Sequence, residues 1–162
     1  MKRAIFPGSF DPITLGHVDI IERALSVVDE LVIAVSINRE KSHVFSLAQR
    51  MDLIGETFER ESRILVSSFE GLLMDFVEKE GACVVVRGLR GGGDFEYEFQ
   101  LASMNKKLND EIETIFLMGS PQTNFLSSRL IKEIALLGGD ISGMVPSHVE
   151  EALKRVFKRA DG

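Results

Sequence analysis

Apolar, β-branched runs recur along the chain at Ala4–Phe6, Leu31–Ile37, Ile64–Val66, Ala82–Val86 and Thr114–Met118. Stretches long enough for helices separate them. This alternation predicts β–α repeats around a parallel sheet. Runs that are apolar almost throughout, rather than at every second position, predict a sheet covered on both faces. The expected architecture is α/β, a doubly wound five-stranded parallel sheet with helices on both faces, in a single domain over residues 1–162.

The polar punctuation places the helices. Val18, Ile21, Leu25 and Val28 repeat at helical spacing behind the turn Phe6–Gly16. Ser46 to Gln49 forms a capping box, which predicts a helix through about Arg60. Glu70–Glu80 places Leu72, Leu73, Phe76 and Val77 on one face, with Gly81 as the stop. Ser127 or Ser128 opens a helix that Gly138-Gly139 ends. Ser147 to Glu150 is a second capping box, before a C-terminal helix. One segment is two-sided: Phe95, Tyr97, Phe99 and Leu101 alternate like a strand, while Leu101, Met104 and Leu108 keep helical spacing. A parallel crossover is required there, so a helix from about Asp94 to Leu108 is expected.

The turn after the first strand carries the first chemistry. Phe6-Pro7-Gly8-Ser9-Phe10-Asp11-Pro12-Ile13-Thr14-Leu15-Gly16-His17 takes the chain from strand to helix through two prolines and two glycines after Phe6. A helix N-terminus has unpaired N–H groups and attracts phosphate. Gly16 removes a side chain there, and His17 adds a ring N–H donor. A nucleotide-phosphate site is therefore expected within the first twenty residues.

Bulk properties narrow the field. The chain has 162 residues, 44% hydrophobic, and a net charge of −6. A general nucleic-acid binder shows a basic face, so that class is not expected. No apolar run approaches the roughly 20 residues that span a bilayer. Met1-Lys2-Arg3 is followed by only three apolar residues before Pro7, so no secretory leader and no membrane partner are expected. Cys83 is the one cysteine, read as a buried core thiol, and with no disulfide framework the expected location is cytoplasmic. His17, His43 and His148 are scattered, which gives no metal-ligand cluster.

In open parallel sheets, ligands bind beyond the carboxyl ends of the strands. Small hydroxyls and cations gather there: Ser9 and His17, then Arg39 and Lys41, then Arg87 and Arg90, then Thr123, Ser127, Ser128 and Arg129. An acidic chain with cations on one rim suits a polyphosphate ligand. Neither the G-x-x-x-x-G-K-[ST] phosphate loop nor the G-x-G-x-x-G fingerprint is present.

Pro7 to His17 resembles the T/H-x-G-H signature of the nucleotidyltransferase superfamily. Arg87-Gly88-Leu89-Arg90 with Asp94-Phe95-Glu96-Tyr97-Glu98 resembles the bacterial phosphopantetheine adenylyltransferases, as do Phe125-Leu126-Ser127-Ser128 and Lys132-Glu133. The likeness runs the length of the chain. It implies a Rossmann-like fold, transfer of AMP from ATP to 4′-phosphopantetheine, a magnesium ion, a homohexamer, and coenzyme A as a feedback ligand. Catalytic roles fall by this resemblance on His17, Lys41 and Arg90. ATP contacts fall on Ser9, Phe10, His17, Gly88, Leu89, Arg90, Glu98, and Thr123, Asn124, Phe125, Leu126, Ser127, Ser128 and Arg129. Acceptor contacts fall on Ser9, Lys41, Leu73 and Arg87. The chain departs from the pattern at Arg39 and His43, where prolines are usual, at Thr123, at Arg129 and at Gly91-Gly92-Gly93. Two other readings stand beside this one at the level of sequence: a nucleotidyltransferase with a different phosphomonoester acceptor, and a non-catalytic nucleotide or coenzyme A sensor.

Overall fold

The computed structural model describes residues 2–40 and 42–160, the last two in backbone only. Five strands form one sheet: β1 (Arg3–Gly8), β2 (Glu30–Ser36), β3 (Ile64–Phe69), β4 (Val84–Leu89) and β5 (Glu113–Met118). Their order is β3-β2-β1-β4-β5, and every pairing is parallel. Each crossover carries a helix: α1 (Leu15–Ala24), α2 (Leu47–Thr57), α3 (Leu73–Lys79) and α4 (Gly92–Leu108). Helices α5 (Ser128–Leu136) and α6 (Ser147–Ala160) follow the last strand. The expected fold class is the one observed.

Successive strand side chains point to opposite faces. Ala4, Phe6, Leu31, Ile33, Val35, Val84 and Val86 pack on one side against Ile20 and Ile21 of α1, Ile54 of α2, Ile131 of α5 and Leu153 of α6. Ile5, Val32, Ala34 and Val85 face the other way, onto Met74, Phe76 and Val77 of α3. Helix α4 lies on that second side, where Phe95 meets Phe116 edge-on with centroids 6.4 Å apart. The unbroken apolar run Leu31 to Val35 of β2 is thus consumed by two cores.

Several boundaries move, each for a local reason. The capping box at Ser46 and Gln49 is formed, but α2 stops at Thr57 because Phe58 leaves helical geometry (φ −114°, ψ 24°). Helix α3 opens only at Leu73: Gly71 takes φ +90° and Leu72 is extended, so Glu70–Leu72 is a turn. Ser147 is the first residue of α6, one step inside a capping position, and the Pro146 carbonyl accepts from Val149 and Glu150 N–H instead. Cys83, expected in the core, is exposed. The strand begins one residue later, at Val84, and Cys83 only hands its backbone to Arg3 and Glu113. No helix among the described residues is long and apolar enough to cross a membrane.

Candidate active site

The sheet order reverses between β1 and β4, and the carboxyl ends of these strands open into a cavity of about 750 Å³. That is the place where this class of sheet binds ligands, and the volume suits a small organic molecule.

The first wall is the turn after β1. Phe10 sits in the left-handed region (φ 48°), which a bulky residue adopts only when its surroundings hold it there. The holding is visible. Its buried ring packs edge-on against Phe6 (5.7 Å) and His17 (5.0 Å). A Cβ on Gly8 would stand 3.0 Å from that ring, so the missing side chain is what admits it.

His17 closes the first turn of α1. Thr14 caps the helix by accepting from His17 N–H (3.3 Å), while Thr14 N–H donates to His17 Nδ1 (3.0 Å). A backbone N–H can only donate, so Nδ1 must accept and the neutral ring carries its proton on Nε2. Burial, and then the charge of Arg90, push the imidazole down to about 4. At neutral pH His17 is therefore an uncharged Nε2–H donor on the cavity wall.

The second wall is β4 with α4. Arg87 donates from Nη2 and Nε to the two carboxylate oxygens of Glu98 (2.6 and 2.7 Å), and from Nη1 to the Pro7 carbonyl (3.2 Å). The two-pronged pair fixes the plane of the guanidinium. Arg90 reaches Asp94 (3.2 Å) and is half exposed.

The third wall is the segment from β5 into α5. Asp19 of α1 accepts from Ser120 N–H (3.1 Å) and hydroxyl (2.7 Å), pinning this loop to α1. A Cβ on Gly16 would stand 3.2 Å from the Thr123 carbonyl, so Gly16 lets helix and loop close on each other; that is its role here, besides lining the cavity. Ser127 caps α5 by accepting from Leu130 N–H, and Ser128 hydroxyl donates to the Pro12 carbonyl (2.7 Å). Arg129 is 88% exposed and pairs with Glu133.

Nearly all the expected site residues meet at this cavity. Ser9, Phe10 and His17 line it from the first turn, Arg87, Gly88, Leu89, Arg90 and Glu98 from the second wall. Thr123, Asn124, Leu126, Ser127, Ser128 and Arg129 line it from the third. Two do not. Leu73 packs with the core on the far side of the sheet, and Phe125, 64% exposed, lies off the wall. Lys41 lies outside the described residues. Asp11 and Lys132, given no role by the sequence, both line the cavity and pair with each other (2.9 Å). Asp11 had one signal, a carboxylate inside a turn otherwise suited to anions.

The chain matches the model of the cytidylyltransferase-like family over residues 5–134. It belongs to that family. Among solved structures, this cytidylyltransferase-like chain is similar to a Vibrio parahaemolyticus protein described as a nicotinate-nucleotide adenylyltransferase. The two share 23% identity over 98% of this chain and 96% of the other, with a TM-score of 0.73. It is also similar to a lipopolysaccharide core biosynthesis protein from Thermoplasma volcanium, at 24% identity over 74% of this chain and 97% of the other, with a TM-score of 0.53. At these identities both establish the fold. With the family match, the chain is a nucleotidyltransferase-like protein.

The acids on the cavity wall are spoken for: Asp11 by Lys132, Asp94 by Arg90, Glu98 by Arg87. No group of three His, Cys, Asp or Glu side chains able to hold a metal occurs among the described residues. Among the described residues the wall offers no carboxylate cage for magnesium.

Proposed function

We propose that this protein transfers the adenylyl group of ATP to 4′-phosphopantetheine, giving dephospho-coenzyme A and pyrophosphate. One observation carries the reading. The string Arg87-Gly88-Leu89-Arg90 with Asp94 to Glu98, which bears the likeness to phosphopantetheine adenylyltransferases, folds into a single interlocked wall of the cavity. Both of its arginines are held by acids of the same string.

The acceptor is a phosphomonoester with a second pKa near 6. It is mostly a dianion at neutral pH and needs no strong base. The work left is to bring two anions together in line. Alignment is worth about 7–11 kcal/mol in favourable cases, against about 0.3–1 kcal/mol from a helix dipole. In the proposed arrangement, Arg87 holds the acceptor phosphate and Arg90 the nucleotide phosphates. Ser9 and the Phe10 N–H hold phosphate at the first turn, and Ser127 to Arg129 do so at the start of α5. His17 donates its Nε2 proton as a hydrogen bond to an α-phosphate oxygen, where charge builds in the transition state. Because His17 is neutral, it aids that charge without binding ground-state ATP as a cation would. Lys41 is assigned to the bridging position between the two phosphates. A magnesium ion belongs to this reading as the counter-ion of Mg-ATP, where it would supply positive charge to the nucleotide phosphates. A homohexamer and coenzyme A feedback belong to the same reading.

The test is pyrophosphate release from purified protein and Mg-ATP with 4′-phosphopantetheine, nicotinate mononucleotide or glycerol phosphate as acceptor, and again with Mg-CTP. Release is expected with ATP and 4′-phosphopantetheine. Turnover only with another acceptor, or only with CTP, overturns the substrate assignment.

A further inference from the structure

Arg50 is a charged residue where the pattern of α2 asks for an apolar one. It falls between Leu47 and Ile54 on the face turned to the sheet, and it is 3% exposed. Its Nη1 donates to the Ser9 carbonyl (2.7 Å) and the Ser36 carbonyl (3.3 Å). These are the first residue past β1 and the last residue of β2. Its Nε is buried with no hydrogen-bond partner among the described residues. The nearby carboxylate, Asp11, already accepts from Lys132 Nζ and from Val44 and Phe45 N–H (3.0 and 2.9 Å).

Asp11 thus answers to two cations, the Lys132 ammonium on the cavity wall and the buried Arg50 guanidinium behind the turn, a local net charge of about +1. An apolar side chain of similar volume would fill the position at lower cost. The guanidinium brings something an apolar chain lacks. A strand-end carbonyl turned into the cavity would set partial negative charge against phosphate. Arg50 draws the Ser9 carbonyl backward and ties it to the end of β2. Its own positive charge stays behind the turn, where low dielectric extends its reach.

We propose that Arg50 is the positioning residue of the phosphate turn: it holds the Ser9 carbonyl away from the cavity and supplies uncompensated positive charge beneath the bound phosphates. The proposal rests on reading this cavity as a nucleotide site. It does not depend on which nucleotide or acceptor is used.

Calorimetric titration of the wild type, Arg50→Lys and Arg50→Met with ATP, CTP and inorganic pyrophosphate tests it, with melting curves of each variant. Lysine keeps the charge, but its shorter side chain does not carry a donor to the point where Nη1 meets both carbonyls, and a loss of about tenfold in nucleotide affinity is expected, one charge-assisted hydrogen bond. Methionine is expected to lose about 10²-fold, the scale of a misplaced binding element. The KM for nucleotide should rise more than kcat falls, and the melting temperature of Arg50→Met should stay near that of the wild type. Unchanged affinity in both variants, or losses that merely follow the melting temperature, would overturn it. If Arg50→Met does not fold, Arg50→Lys decides. A wild type that binds CTP and not ATP sinks the adenylyl reading and leaves the Arg50 comparison to run on CTP; one that binds none of the three probes ends both.

Discussion

His17 owes its tautomer to a single backbone proton. The N–H of Thr14 occupies Nδ1, burial keeps the ring neutral, and what remains for chemistry is one donor on Nε2. Replacing His17 with alanine should cut kcat by about 10²–10³-fold, the usual cost of one transition-state donor. ATP affinity measured without acceptor should change only a few-fold, because a neutral donor adds little to the ground state. Equal losses in both would make His17 a binding residue. The same ring gives a spectroscopic handle. A histidine proton NMR titration should show one residue with a midpoint near 4 rather than 6.5. The sign for stability follows: the unfolded chain takes up a proton near pH 6.5 that the folded ring refuses until about 4. Stability is thus full above 6.5 and declines as pH falls through that window. Asp11 acts lower. Burial pushes its carboxyl up, but the Lys132 ammonium and the N–H groups of Phe45 and Val44 outweigh it and hold it below the ordinary value. Its contribution is full above the ordinary carboxylate value and is lost as pH falls from there through the lowered one.

Asp11 matters most as a joint between elements. It binds the turn after β1 to the segment before α2 through two N–H groups, and to α5 through Lys132. Asp11→Asn leaves Lys132 without its counter-ion and one loop N–H poorly served. Breaking a fully buried pair costs about 3–5 kcal/mol; with a quarter of the Lys132 side chain exposed, about 2–3 is expected. Thermal denaturation should register that as a drop of roughly 5–10 °C. This joint also marks where sequence reading stopped. The strands were legible because β-branched runs have few other uses, and α2 because Ser46 and Gln49 form a capping box. The turn to His17 was legible because its prolines, glycines and histidine are neighbours in the chain. Asp11 and Lys132 are 121 positions apart, and only the sheet order brings them together. Arg50 was hidden for another reason: amphipathic spacing finds the buried face of α2, but gives no cause for a cation on it. The start of α3 slipped because a glycine in the left-handed region reads, from sequence, like any other loop glycine.

At the scale of the molecule, α4 leaves an unusual share of its apolar side chains in solvent. Phe95, Tyr97, Phe99, Met104 and Leu108 of α4 are all exposed. This explains the double pattern of that helix, whose apolar residues do not gather on a single buried stripe. Five large apolar side chains on one helix are more than an isolated surface usually carries. Sedimentation equilibrium should find a particle six times the monomer mass, as the proposed homohexamer requires. Charged replacements at Tyr97 and Met104 should shift it toward smaller species, and a wild-type monomer would refute the assembly.

The reversal of strand order at β1 and β4 has a consequence for how the protein comes into being. One side of the cavity is written in the first fifty residues and the other in the stretch from Arg87 to Lys132. A polypeptide growing from the ribosome holds the phosphate turn early, yet has nowhere to keep a nucleotide until α5 has emerged. Under the proposed function, nucleotide binding therefore waits on both walls, however early the turn itself is made.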